Sequence, residues 1–233
     1  VVSGCAAEGS AAFTGDGPKD PAFFEPLEAI QAAGGVGIPT IKPWSVGEVI
    51  ERAKKAAEAG VFALAMDIDA AGLTVLSAMG KPVSPMPVEA IAEIVANLKV
   101  PFILKGIMTA DAARKAVEAG ARGIVVSNHG GRVLDETPAT IEVLPEIVKA
   151  VGGRTKILID GGFRTGLDVF KALALGADGV LIGRPFVYAV YGGGAEGVAL
   201  YLRKVRAELE EAMLMTGASG ISEIDSSKVS RAV

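Results

Sequence analysis

Several residue types that organise small proteins are nearly missing from this 233-residue chain. It has one cysteine, Cys5, and one histidine, His129, and aromatic residues make up only 5%. A lone cysteine excludes an intrachain disulfide and any metal cluster built on thiolates, and no metal site is expected. It also fits a reducing compartment, so the expected location is the cytoplasm. Basic charge is not in excess: the net charge is −4 and no block of like charges stands out. A nucleic-acid partner would need a basic stripe, so none is expected. No run of about 18 apolar residues exists, which argues against a membrane-spanning helix. The first residue is Val1 rather than Met, which leaves a targeting segment open. What the chain does have is apolar residues (50%) and 30 glycines, a composition suited to a well-packed α/β protein. Its length suits one large core or two small domains.

A βα rhythm runs through the sequence. Short Val-, Ile- and Leu-rich runs, as expected of buried parallel strands, occur at residues 11–14, 36–41, 62–67, 101–105, 123–127, 156–160 and 179–182. Amphipathic stretches of helical length follow most of them, at 46–59, 88–98, 110–119, 141–151, 167–175 and 196–214. Ser45, Thr109 and Thr140 stand where N-caps are expected. Residues 73–87, with three prolines, read as a long loop. Polar residues cluster at the C-terminal ends of successive strands: Lys42, Asp67, Lys105, Ser127-Asn128-His129, Asp160-Gly161-Gly162 and Gly183-Arg184. An open sheet concentrates ligands at one switch point, whereas a closed barrel feeds one rim from many strands. The expected fold is therefore α/β, a (β/α)8 barrel forming one domain over 1–233. Seven strands are one short of eight, so the first βα unit is expected before Val1.

The rim residues have the chemistry of a polar catalytic pocket. His129 follows a buried strand, and histidine is the usual general base near neutral pH. A structural histidine in a glycine turn is an equal alternative on the local sequence alone. Arg132 offers a planar fork for a carboxylate. Asp160-Gly161-Gly162-Phe163-Arg164 and Gly183-Arg184-Pro185 end consecutive strands. Barrels frequently bind a phosphate there, on backbone N–H groups and a helix N-terminus. Lys105 ends an apolar strand and fits only if its ammonium faces a polar pocket. Asp67 and Asp69 share a side by the two-residue strand period, and one of them can pair with His129.

These segments resemble the FMN-dependent 2-hydroxy acid oxidising family, to which glycolate oxidase and lactate oxidase belong. The resemblance is carried by Pro101-Phe102-Ile103-Leu104-Lys105-Gly106, by Ser127 through Asp135, by Asp160 through Ala177 and by Gly183-Arg184-Pro185. It is specific from Val100 to about Gly217, and weaker but collinear from Gly9 to Asp69. It implies a barrel with FMN at the C-terminal rim, His129 as the base that removes a proton from the substrate, and Arg132 as the carboxylate clamp. Asp67 would be the histidine's partner and Lys105 would stabilise the reduced flavin. Thr40, Ser127, Asp160, Gly161, Gly162, Arg164, Gly183 and Arg184 would hold the cofactor. The implied partners are a small 2-hydroxy acid and oxygen or another electron acceptor, and the implied assembly is a homotetramer. Three departures stand out. Lys42 replaces a tyrosine of the substrate pocket, a second substrate-side arginine has no counterpart after Asp67, and the family's first strand and N-terminal tyrosine fall before Val1. Lys42 in the pocket suits an anionic substrate. Two alternatives remain at this stage: an FMN barrel of different chemistry, like type 2 isopentenyl diphosphate isomerases, and a flavin-binding fragment without turnover. His129 and Arg132 at a three-residue spacing argue against the isomerase.

Overall fold

A computed structural model describes residues 1–230; the last three residues of the domain expected over 1–233 lie outside the described part. Seven parallel strands pair in chain order: β1 (Ala12–Thr14), β2 (Gly37–Ile41), β3 (Leu64–Asp67), β4 (Phe102–Ile107), β5 (Gly123–Val126), β6 (Lys156–Ile159) and β7 (Gly179–Val180). Helix α1 (Val2–Ala7) precedes them. The helices α2 (Pro21–Ala32), α3 (Val46–Glu58), α4 (Thr74–Ala78), α5 (Val88–Ala96), α6 (Ala110–Glu118), α7 (Thr140–Val151), α8 (Gly166–Ala174) and α9 (Arg184–Met215) are interleaved with or follow the strands.

The sheet curls into a barrel wall. In a flat sheet with strands about 4.8 Å apart, β1 and β7 would stand about 29 Å from each other. Here one cavity is lined both by Phe13 and Thr14 of β1 and by Leu181 and Ile182 just after β7. Among the described residues no ladder joins β7 to β1. The barrel expected from the sequence is thus present as seven strands.

Alternation along the strands divides the apolar residues between two cores. One set faces inward: Ile38, Ala63, Ala65, Ile103 and Val125, with Phe13, Leu158 and Leu181 packed on them. The intervening residues, among them Leu64, Met66, Phe102, Leu104, Ile124, Val126, Ile157 and Ile159, face the helices. Both faces are buried, so each strand reads as a continuous apolar run.

Local signals set the helix boundaries. Ser45 and Thr109 cap α3 and α6 by accepting the backbone N–H of Glu48 and Ala112. Thr140 is a correction: Ala139 holds the cap position, and the buried Thr140 hydroxyl instead donates to the carbonyl of Asp160, 2.5 Å away. Helix α2 was not among the expected helices. Pro21 sits in the first turn, where no N–H is needed, and Phe23, Leu27 and Ile30 supply a buried stripe at helical spacing. The expected loop 73–87 contains the short helix α4. The last helix begins at Arg184 rather than 196 and is broken at Gly193 and Gly194. Strand β7 ends at Val180, two residues earlier than expected.

One buried polar network anchors the loop after β1. The Asp16 side chain is fully buried and accepts hydrogen bonds from the backbone N–H of Gly17 and Lys42, from Trp44 Nε1 at 2.7 Å and from Arg52 at 3.3 Å. Arg52, itself 4% exposed, also pairs with Asp20 and Glu48 and stacks beside the rings of Phe23 and Phe24. This network ties β1, α2 and α3 together and fixes the backbone at Lys42. Removing one partner leaves a buried guanidinium and an indole N–H short of an acceptor. Asp16→Ala is therefore expected to cost about 3–5 kcal/mol in urea unfolding; a loss below 1 kcal/mol would show that the network does not hold the loop.

Candidate active site

The strand alternation that buries the interior cluster also builds the rim. Two residues beyond Ala65, Ile103, Val125 and Leu158 come Asp67, Lys105, Ser127 and Asp160, each on the interior side at the C-terminal end of its strand. Asp67 and Lys105 are direct neighbours across β3 and β4. Together they open onto a cavity of about 510 Å³. Every residue expected at the site lines it except Ser127, which is fully buried beneath.

The cations and carboxylates of the floor neutralise one another. Lys42 Nζ lies 2.5 Å from Asp67 Oδ2, with both side chains almost fully buried. Burial pushes the Asp67 carboxyl above the usual carboxylate range, and the Lys42 ammonium opposes that rise. Lys105 Nζ donates to Ser127 Oγ at 2.8 Å and lies 3.2 Å from Asp160 Oδ2. The Ser127 hydroxyl also accepts the backbone N–H of His129, so its own hydrogen is left to donate.

The three cavity arginines are different. Arg132 donates through Nε to the carbonyl of His129, and Arg164 donates to the carbonyl of Gly162. Neither these two nor Arg184 has a carboxylate partner among the described residues. Three unmatched guanidinium charges around one cavity make it a site for anions.

His129 sits in the left-handed region, with φ 58°, a conformation that costs a non-glycine residue about 1–3 kcal/mol. Its Nδ1 is 3.1 Å from Asp69 Oδ2. This corrects the expected pairing with Asp67. The strand ends at Asp67, a 3-10 turn over Ile68–Gly72 carries Asp69 to the ring, and Asp67 is taken by Lys42.

The turn after β6 and the start of α9 form the other wall. Gly161 and Gly162 have φ of 101° and 88°, and a Cβ on Gly161 would lie 2.9 Å from Thr140 Oγ1. Only glycines follow this path, and they leave the backbone bare toward the cavity. The adjoining Arg164 and Thr165 are held by Asp168, which accepts both their backbone N–H groups. Burial alone would raise the Asp168 carboxyl, but those bonds and the Thr165 hydroxyl together hold it below its ordinary value. Helix α9 begins beside this turn at Arg184, with Gly183 as its cap. Bare glycine backbone, a helix N-terminus and two arginines are the parts of a phosphate site.

Orphaned atoms give an independent sign of a ligand. Thr14 Oγ1, Asp67 Oδ1 and Asp160 Oδ1, on three cavity-lining residues, are buried without a hydrogen-bond partner among the described residues. Buried polar atoms are normally partnered, so the cavity is shaped for a molecule that brings donors and acceptors of its own. Its volume falls within the roughly 300–1,000 Å³ of small-molecule sites. A phosphorylated flavin fits this donor set: phosphate at the glycine turn and arginines, polar ring and chain atoms at the orphaned groups. Thr14 did not stand out in the sequence; its position at the end of β1 is the only signal for it.

The sequence profile of a family described as FMN-dependent dehydrogenase matches residues 75–231. A peroxisomal (S)-2-hydroxyacid oxidase of Arabidopsis thaliana is 52% identical over 126 residues, 54% of this chain and 35% of that protein. A 2-hydroxyacid oxidase of Dictyostelium discoideum is 51% identical over 129 residues, 55% of this chain and 33% of that protein. These matches thus span about a third of the relatives' length. The crystal structure of a mandelate oxidase superposes with a TM-score of 0.84 at 31% identity, covering 95% of this chain and 70% of that one.

The floor ion pair has a measurable consequence. Because the folded pKa of Asp67 is raised, its charged form opposes folding: the penalty is absent below the unfolded value of about 3.9 and complete above the folded one. Lys42→Met removes the opposing cation, so the folded value rises further. The variant is expected to lose stability relative to the parent as pH climbs through that window, and the Asp67 carboxyl resonance to titrate at higher pH. An unchanged titration would show that Lys42 does not act on Asp67.

Proposed function

This chain belongs to the FMN-dependent dehydrogenase family, and from that membership we propose that it oxidises an L-2-hydroxy acid to the 2-oxo acid, with His129 as general base and Arg132 as the carboxylate clamp. The observation that carries this reading is one cavity holding a histidine set against a carboxylate, an arginine three residues on with no acidic partner among the described residues, and a glycine turn suited to phosphate. The names of the relatives, 2-hydroxyacid oxidases and mandelate oxidase, support the same substrate class.

Bound FMN supplies the two-electron acceptor for the substrate's oxidation. Thr40, Ser127, Asp160, Gly161, Gly162, Arg164, Gly183 and Arg184 would hold it, and Lys105 supplies positive charge beside Ser127 and Asp160. Arg132 grips the substrate carboxylate in two hydrogen bonds and so orients the carbon that is oxidised. His129 accepts the substrate proton at the ring nitrogen not engaged with Asp69. The resulting imidazolium is stabilised by Asp69. Lys42 opposes the rise that burial imposes on the Asp67 carboxyl. Because Lys42 is spent on Asp67, the substrate's negative charge falls to Arg132.

The purified protein is expected to be yellow and to bleach anaerobically with at least one of L-lactate, glycolate and L-mandelate. His129→Ala should keep its flavin and be reduced about 10²–10⁴-fold more slowly. No bleaching by the parent with any 2-hydroxy acid would overturn the function, and loss of flavin in His129→Ala would make the histidine structural. Arg132→Lys gives up the bidentate fork, and KM for the hydroxy acid should rise roughly tenfold, about 1.4 kcal/mol. An unchanged KM would remove Arg132 from the carboxylate site.

A further inference from the structure

Two carboxylates approach His129. Asp67, Asp69 and His129 each offer an atom within 4.8 Å of the others'. Only Asp69 is within hydrogen-bond distance of the ring, at 3.1 Å, while Asp67 Oδ2 is committed to Lys42 at 2.5 Å. The fold makes a place for Asp69. Register between β4 and β5 slips between Lys105 and Ile107, and the bulged Gly106 takes φ 101°. A Cβ there would lie 2.7 Å from the Cβ and Cγ of Asp69, so the aspartate occupies the notch left by the missing side chain. The ring and the carboxylate are both largely buried, with side chains 11% and 14% exposed.

Resting on the function proposed above, we infer that Asp69 is the positioning residue for His129 and that Lys42 serves this arrangement by withdrawing Asp67 from competition for the ring. A carboxylate only accepts hydrogen bonds, so the contact places the ring hydrogen on Nδ1. The neutral ring then carries its lone pair on Nε2, which makes no hydrogen bond among the described residues and belongs to a cavity-lining side chain. That is the tautomer a base needs when its acceptor nitrogen must face the substrate. Without Lys42, Oδ2 of Asp67 would lose its partner beside the same ring, and the ring hydrogen would have a second carboxyl oxygen to turn to. The charged groups around the ring are Asp67 from β3, Asp69 from the turn after it, Lys105 from β4 by way of Ser127, and Arg132 on the histidine's own turn.

Because His129 is the only histidine, a ¹⁵N-histidine NMR spectrum of the flavin-loaded protein contains one pair of ring-nitrogen signals and reads the tautomer directly. In the neutral form the parent should show a protonated Nδ1 and a bare Nε2. Asp69→Ala should move the hydrogen toward Nε2, Asp69→Asn should keep it on Nδ1 through the amide oxygen, and Asp67→Asn should leave it unchanged. An Nε2–H ring in the parent would overturn the inference without any variant, so failure of Asp69→Ala to fold does not protect it. A tautomer that follows Asp67 instead of Asp69 would overturn it too. In stopped-flow reduction by L-lactate, glycolate or L-mandelate, Asp69→Ala should lower the limiting rate about 10²-fold with little change in half-saturation. A flavoprotein that none of these acids reduces would sink the proposed oxidation, and the tautomer would still decide the role of Asp69.

Discussion

The site rests on the two-residue alternation of strands buried on both faces. Ala65, Ile103, Val125 and Leu158 pack the interior, and the same alternation lifts Asp67, Lys105, Ser127 and Asp160 onto one rim. A one-residue slip in any strand would turn its polar residue into the helix layer, where Leu64, Met66, Leu104 and Ile159 now sit. The apolar layers on both sides therefore fix the register of the rim groups, and the ladders carry it across the sheet, as in the facing of Asp67 and Lys105. Chemistry and core are specified by the same pattern.

Placing so many charges on a largely buried floor is costly unless they are paired. Lys42 with Asp67 and Lys105 with Asp160 meet that condition, which leaves Arg132, Arg164 and Arg184 as the cavity's uncompensated charge. Arg164 follows the glycine turn, Arg132 follows the His129 turn, and Arg184 at the start of α9 reaches Gly130, so one cavity offers cations enough for two anions. These suit the phosphate of a cofactor and the carboxylate of a small acid. Helix α8 stabilises the glycine turn through Asp168, and the Asp16 network steadies the backbone of Lys42. Elements far from the cavity thus act on it through loops they hold in place.

Much of this was legible in the sequence. Apolar runs ending in Lys105, Ser127 or Asp160 have few other meanings in a parallel α/β protein, and a lone histidine beside Arg132 draws attention to itself. What escaped depended on contacts between distant segments. Asp67 and Asp69 look equivalent by strand period, but the strand stops between them, and Lys42, 25 residues upstream, decides which carboxylate is free. Thr140 has the sequence context of a cap, yet the carbonyl of Asp160 claims its hydroxyl. Asp16 draws partners from three separate segments, and none of them marks it in sequence. Helix α2 was missed although Phe23, Leu27 and Ile30 form a buried stripe at helical spacing.

The proposed function requires the cavity to take two anions, with His129 beside the smaller one. A crystal structure of the FMN-loaded protein soaked with pyruvate tests that directly. The expected result is a phosphate enclosed by Gly161, Gly162, Arg164, Gly183 and Arg184, and a pyruvate carboxylate on the guanidinium of Arg132 within reach of His129 Nε2. A pyruvate bound away from Arg132, or a phosphate held elsewhere than the glycine turn, would contradict it.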